Sequence, residues 1–278
     1  MKLYLRTKDF AVTQEDFELW QDPDNDMLMT KPVPKVIEPY YQSETYISHT
    51  DASKSVLEKA YQFAKKINLK RKMTLLRRYV KGDLSVLDIG AGTGDFLVTA
   101  KKEGWVIAGV EPNEGAREKA LQKGVTLASH TEAIGYRKYN CITLWHVLEH
   151  LPNLEAQLTK IVSSLKIGGT LVVAVPNYKS FDAQFYGSFW AGYDTPRHLW
   201  HFSRTAIERK FKSHGMEVIS VKPMWLDAFY VALLSEKYKT GKSNYLNAFW
   251  IGIKSNIKGW YTGEFSSHIY ILKHQKMD

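Results

Sequence analysis

Three alternating glycines, a carboxylate downstream of them and two clusters of histidine are the residues whose types and spacing could do chemistry. Gly90, Gly92 and Gly94 lie between the apolar run 86–89 and a stretch in which Phe96, Leu97 and Ala100 recur at helical spacing until Gly104. That pattern predicts a buried parallel strand, a tight turn and a helix. Glycine lets such a turn take positive φ and leaves room for a ligand against the main chain. Glu111 ends the next apolar run, 105–110, where a carboxylate can accept hydrogen bonds from both hydroxyls of a ribose. A nucleoside-bearing cofactor is the ligand these features suit.

A dinucleotide fingerprint reads G-x-G-x-x-G and seats a pyrophosphate on a helix N-terminus. Here the third glycine comes one residue early, and Asp88 and Asp95 flank the turn. Two carboxylates suit a cationic ligand better than a pyrophosphate, which argues against a dinucleotide-dependent oxidoreductase. The stretch Val86-Leu87-Asp88-Ile89-Gly90-Ala91-Gly92-Thr93-Gly94-Asp95-Phe96 resembles motif I of the class I S-adenosylmethionine-dependent methyltransferases, whose cofactor carries a sulfonium and an ammonium group. The resemblance implies S-adenosyl-L-methionine as cofactor, with Asp88, Gly90, Ala91, Gly92, Glu111 and Pro112 around it. Methyltransferases often use an acidic residue after the third strand to receive the adenine amino group. The turn here reads Ser129-His130-Thr131-Glu132-Ala133, so Thr131 and Glu132 stand in for the usual Asp.

Trp145-His146-Val147-Leu148-Glu149-His150 follows the apolar run 141–144 and resembles the motif IV region of small-molecule methyltransferases of the ubiquinone-biosynthesis type. The end of a parallel strand faces the ligand crevice. Trp145 or His146 is therefore expected beside the cofactor, while Glu149 and His150 either brace the loop or reach the site. The aromatic loop 189–203 carries Tyr193, Arg197, His198 and His201. Its histidines either touch substrate and move a proton or anchor the loop. No carboxylate or third histidine has ligand spacing near them in sequence, so no metal is expected. Methyl transfer to a hydroxyl needs a base, and histidine titrates near neutrality. His146, His150, His198 and His201 are the candidates, with Tyr193 and Arg197 orienting the substrate.

These groups must be held by an α/β fold. The βα alternation predicts a Rossmann-like, seven-stranded, mostly parallel sheet with helices on both faces, a last antiparallel strand (268–272) and an N-terminal helical extension. The third strand is placed at 125–128. Residues 1–50 read as an irregular segment, 51–80 as a helical lid of two helices broken near Asn68, and 81–278 as the methyltransferase domain with an aromatic insertion at about 224–266. The first segment resembles a group of bacterial methyltransferases with an N-terminal zinc-ribbon-like unit, through Lys31-Pro32-Val33-Pro34 and the run from Tyr40 to His49. Asp22, Asp24 and Asp26 stand where that group has cysteine pairs, a weak zinc site without thiolates, so no structural metal is expected there. Tyr46 and His49 either face the cofactor or substrate or fix their loop.

The 278-residue chain is 44% hydrophobic, has a single cysteine, Cys141, and carries a net charge of +9. One cysteine excludes an internal disulfide and a cysteine-rich metal site. The absence of an eighteen-residue apolar run argues against a transmembrane segment, and the short, charged start argues for a cytoplasmic protein. Lys65, Lys66, Lys70, Arg71, Lys72, Arg77 and Arg78 read as the solvated face of a helix. The favoured reading is a methyltransferase acting on a small-molecule hydroxyl of a quinone precursor, lipid or sugar. The positive charge keeps nucleic acid as an alternative, against which stands the lack of an Asn-Pro-Pro-aromatic turn; a non-catalytic cofactor-binding scaffold is another. The aromatic insertion would shape a substrate pocket or a homodimer surface.

Overall fold

The computed structural model describes residues 1–41, 56–131 and 137–275. It opens with β1 (Lys2–Lys8), β2 (Asp16–Asp22) and β3 (Met27–Lys31), followed by the long helix α1 (Val56–Tyr79). Then come β4 (Ser85–Ile89), α2 (Asp95–Lys102), β5 (Val106–Val110), α3 (Glu114–Gln122), β6 (Tyr139–Trp145), α4 (Leu154–Ser163) and β7 (Leu165–Pro176). After α5 (Phe181–Tyr186), β8 (Trp200–Phe202), α6 (Arg204–Lys212) and β9 (Met216–Pro223), two helices, α7 (Asp227–Thr240) and α8 (Tyr245–Thr262), precede β10 (Ser267–His274).

The central sheet has six strands in the order β5-β4-β6-β7-β10-β9, with β10 antiparallel to both neighbours and the β4, β5, β6 and β7 pairings parallel. Every residue of β4 is buried because helices cover both faces. Val86, Cys141 and Val172 pack with Met73, Leu97 and Ala120 from α1, α2 and α3. Leu87, Ile142 and Val173 point the other way, against Leu158 of α4 and Ile207 of α6. The strands therefore alternate between two cores, and the C-terminal ends of the parallel neighbours β5, β4 and β6 lie side by side.

The expected seventh strand at 125–128 is reduced to a single parallel bridge, Val110 with Ala128. The Val125 N–H donates to the Ala120 carbonyl at 3.0 Å, closing the end of α3, so it is not free to join a ladder. Residues 1–31 are not irregular. They form an antiparallel meander that β8 extends, in the order β1-β2-β3-β8. Their period-2 burial, with Phe17 and Leu19 inside and Asp16 and Glu18 outside, carries the strand signal, and the prolines fall between strands. Asp22, Asp24 and Asp26 lie at the β2–β3 turn, where Asp22 accepts the Asp24 N–H at 3.0 Å and Asp26 receives Lys179 and Ser203. α1 also runs unbroken through Asn68. An exposed asparagine costs a helix under about 1 kcal/mol, whereas burying Met73 and Leu76 gains about 1.5–3 kcal/mol each.

Candidate active site

The glycine turn is built for close approach. Gly90, Gly92 and Gly94 all have positive φ, at +69°, +54° and +75°. A Cβ at Gly90 would collide with Val147, whereas one at Gly92 would meet nothing within 4 Å, so Gly92 faces open space. Glu111 is tied to the same turn: its carboxylate accepts the Gly92 N–H at 2.8 Å and the Asn113 N–H at 2.9 Å. An ionised carboxylate has about four lone-pair sites, so two remain for hydroxyls. Pro112 follows it, its carbonyl accepting from Arg117 at 2.6 Å. Beneath the turn, Asp88 is buried and accepts a hydrogen bond from Thr143 at 2.5 Å. Burial raises its pKa to about 7, against the pull of Thr143 and Lys72.

Trp145, at the end of β6, packs edge-on to Phe96 with ring centroids 5.9 Å apart. Its buried Nε1–H has no hydrogen-bond partner among the described residues. An open glycine cradle, a loop-anchored carboxylate and an unpaired indole donor together suit a nucleoside ligand with a cationic tail. The basic face expected of α1 is only partly solvated. Lys72 sets its ammonium 4.2 Å from the Trp145 ring centroid, and burial lowers its pKa to about 8 despite Asp88 and Asp227. Lys65 and Lys123 pair with Asp95 at 2.8 and 3.0 Å. Burial opposes ionisation of Asp95, but these lysines and Thr93 outweigh it and hold its pKa below the ordinary value.

Thr131 lines a cavity of about 30 Å³ with Leu87 and Ile161, room for about one water rather than a purine. Glu132, Tyr46 and His49 lie outside the described residues.

The four histidines divide. His146 adopts φ +57°, with Nε2 3.0 Å from Asp227 and Nδ1 3.4 Å from Glu149. Burial works against its charge, yet the two carboxylates raise its pKa to about 10. Its charged form is the favoured one, and it ties the β6 turn to α7. His201 is buried on β8 with Nε2 3.0 Å from Thr30 Oγ1. That hydroxyl donates to the His198 carbonyl at 2.6 Å and so must accept from His201. Burial holds the His201 pKa well below the ordinary value, and its ring ties β8 to β3 through Thr30.

His150 and His198 meet edge-to-face, with centroids 4.5 Å apart. Each lies 2.9 Å from a backbone carbonyl through Nδ1, His150 from Arg197 and His198 from Gly192, so each Nδ1–H donates and each Nε2 keeps a lone pair. Burial and the neighbouring His198 lower the His150 pKa to about 4. Glu149 is fully buried, with His198 Nε2 at 4.0 Å. Its contact with His146, at 3.4 Å, is an ion pair rather than a good hydrogen bond, and among the described residues neither of its oxygens accepts a hydrogen bond. Burial opposes its ionisation, but His146 and the nearby histidines keep its pKa below the ordinary value. Donor atoms of Glu149, His150 and His198 lie within 4.8 Å of one another, a spacing that would also admit a metal ion. The carboxylate that looked absent from sequence arrives from 49 residues upstream of His198.

Arg197 and Tyr193 are not free to meet a substrate. Arg197 is buried and bonds Asp194 at 2.7 Å, Asp9 at 2.9 Å and the Tyr40 carbonyl at 2.7 Å. Asp9 in turn caps the backbone N–H groups of Ala11, Val12 and Thr13. Tyr193 is buried edge-on to Trp190 and His201 at 4.9 and 5.4 Å. Both lock the loop carrying His198 to the N-terminal sheet. Asp9, Lys72, Asp194 and Asp227 were missed because their partners are distant in sequence; only the Asp194-x-x-Arg197 spacing offered a local signal. A concavity of about 740 Å³ lies on the N-terminal sheet around Arg6 and Trp20 and is lined by none of these groups. A cleft of about 280 Å³ is bordered by Lys72 and Asp227 and adjoins the site.

Residues 53–221 match the family described as a methyltransferase domain. The chain belongs to that family. This methyltransferase is 30% identical over 106 residues to the ubiquinone biosynthesis O-methyltransferase of Serratia proteamaculans, across 34% of its own length and 44% of the relative's. It is 31% identical over 109 residues to that of Vibrio atlanticus, across 34% and 46%. The methyltransferase thus spans about half the length of the curated relatives it matches. Its fold resembles magnesium protoporphyrin IX methyltransferase from Synechocystis with bound S-adenosylhomocysteine, at a TM-score of 0.57 and 14% identity, covering 87% and 100% of the two chains. A methyltransferase from Archaeoglobus fulgidus gives 0.50 and 21%, covering 77% and 99%. No helix among the described residues is long and apolar enough to cross a membrane.

Proposed function

We propose that this methyltransferase moves a methyl group from S-adenosyl-L-methionine to a hydroxyl of a small molecule, with His198 as the base. When bound, the cofactor supplies an electrophilic methyl group on a sulfonium. Gly92 and Glu111 would hold its nucleoside part, Trp145 Nε1–H would meet a polar atom, and Asp88 would face its positive charge. The observation that carries the choice of base is the convergence of three acceptors: the Glu149 carboxylate and the Nε2 atoms of His150 and His198. Such a cluster can take up one proton. A proton taken from the acceptor hydroxyl onto His198 Nε2 would lie between Glu149 at 4.0 Å and Asp194 at 3.9 Å, which stabilise the imidazolium. His150, with its lowered pKa, stays neutral and packs the ring. Ubiquinone-type relatives favour a phenolic acceptor, and lipid or sugar hydroxyls are the other classes to screen.

The same convergence supports a second reading, in which a divalent cation takes the proton's place. Nδ1–H groups fixed on carbonyls are the usual support for imidazole ligands. The test is methyl transfer to a phenolic panel by wild-type and His198→Ala protein, with and without prior chelation. Loss of about 10²–10⁴-fold in kcat, with S-adenosylhomocysteine affinity retained and chelation harmless, supports the base. Loss on chelation that Mn²⁺ or Zn²⁺ restores favours the cation, and an active His198→Ala enzyme defeats both.

A further inference from the structure

We propose that the outer face of α8 docks on an anionic lipid bilayer surface. The helix is built inside out for a soluble monomer. Its inner face carries Ile251 and four small residues, Ala248, Gly252, Ser255 and Gly259, all buried, and a Cβ at Gly252 or Gly259 would press on Phe229 or Phe265. Small residues let the helix sit close to the body of the protein. Apart from Ile251, most large apolar residues of the helix point the other way: Leu246, Phe249, Trp250, Ile257, Trp260 and Tyr261 are exposed, the last by 85%. At about 100° per residue they share an arc of roughly 120° opposite the buried face. A contiguous apolar stripe of this kind marks an interaction surface rather than scattered exposure.

Charge decides the occupant. Residues 237–263 contain five lysines, Lys237, Lys239, Lys242, Lys254 and Lys258, and no aspartate or glutamate. All five are exposed. Trp and Tyr beside lysine on one helix face are suited to the boundary between headgroups and acyl chains, and each lysine is attracted by anionic headgroups. A second copy meeting this face across a two-fold axis would oppose lysine with lysine, with no carboxylate in the segment to neutralise them. A lipid surface supplies both the apolar layer and the negative charge.

The experiment is flotation of the full chain with vesicles of phosphatidylcholine alone or mixed with phosphatidylglycerol, together with tryptophan emission. The expected result is co-flotation with the anionic vesicles, a blue shift, and weakening at raised salt. The double variant Trp250→Glu/Trp260→Glu and the triple variant Lys242→Glu/Lys254→Glu/Lys258→Glu should each lose about tenfold or more of the partitioning. Their melting temperatures report that the fold is kept, since every changed side chain is exposed. No flotation of the wild type, variants that float equally well, or a dimer that forms through this face without vesicle binding would each overturn the proposal. The assay needs no methyl transfer, so it stands apart from the reading of the active site.

Discussion

Among the residues, like side chains have been given unlike tasks by their surroundings. His146 sits between the Asp227 and Glu149 carboxylates, His201 is bound to a threonine, and His198 has Glu149 4.0 Å from its Nε2. Asp88 shows the same dependence on surroundings, its pKa raised to about 7 by burial. A cationic cofactor favours the ionised form, so binding must expel the proton from Asp88 below that value. Cofactor affinity should therefore rise with pH through 7, by up to about tenfold between pH 6 and 8, and Asp88→Asn should flatten the profile. Calorimetry in two buffers of different ionisation heat reads both the affinity and the released proton. The glycine turn and Glu111 were legible in sequence because their spacing is local. The roles of the histidines were not, because Glu149, Asp227 and Thr30 come from separate elements.

Elements are joined by buried polar contacts more than by sequence proximity. The antiparallel meander of β1, β2 and β3 takes β8 as its fourth strand, and the Asp9–Arg197–Asp194 cluster fastens the loop between. Removing one partner of such a cluster leaves a buried charge uncompensated. Asp9→Ala should cost about 3 kcal/mol or more of stability, measured by urea unfolding; a loss under about 1 kcal/mol would show that the cluster does not fasten the loop. The strands of the central sheet were legible as apolar runs between turn signals. The meander was hidden because its strands are short and the prolines beside them read as breakers of the whole segment, and α1 looked broken because a propensity signal at Asn68 is weaker than the burial around it.

Across the whole molecule the work is divided between two sheets. The central sheet presents the glycine turn, Glu111 and Trp145, while the N-terminal sheet and its loop hold His198 against Glu149. Thr30→Val should then separate the two: with the His198 carbonyl unsupported, kcat should fall by about tenfold or more, while the affinity for S-adenosylhomocysteine stays within about twofold. Equal loss of both would contradict the division. The expectation of a seven-stranded sheet came close because edge position 125–128 carries strand-like residues, yet the end of α3 claims its first N–H.

The most direct measurement is calorimetric titration of wild-type and Gly92→Arg protein with S-adenosylmethionine and S-adenosylhomocysteine. Gly92 opens onto the space where a ligand would lie, so an arginine there should fill it, at a backbone cost of about 1–2 kcal/mol from the positive φ. The account predicts binding in the micromolar range, about 8 kcal/mol, abolished by Gly92→Arg with the far-ultraviolet circular dichroism spectrum unchanged. No heat with either ligand, or equal binding by the variant, would contradict it.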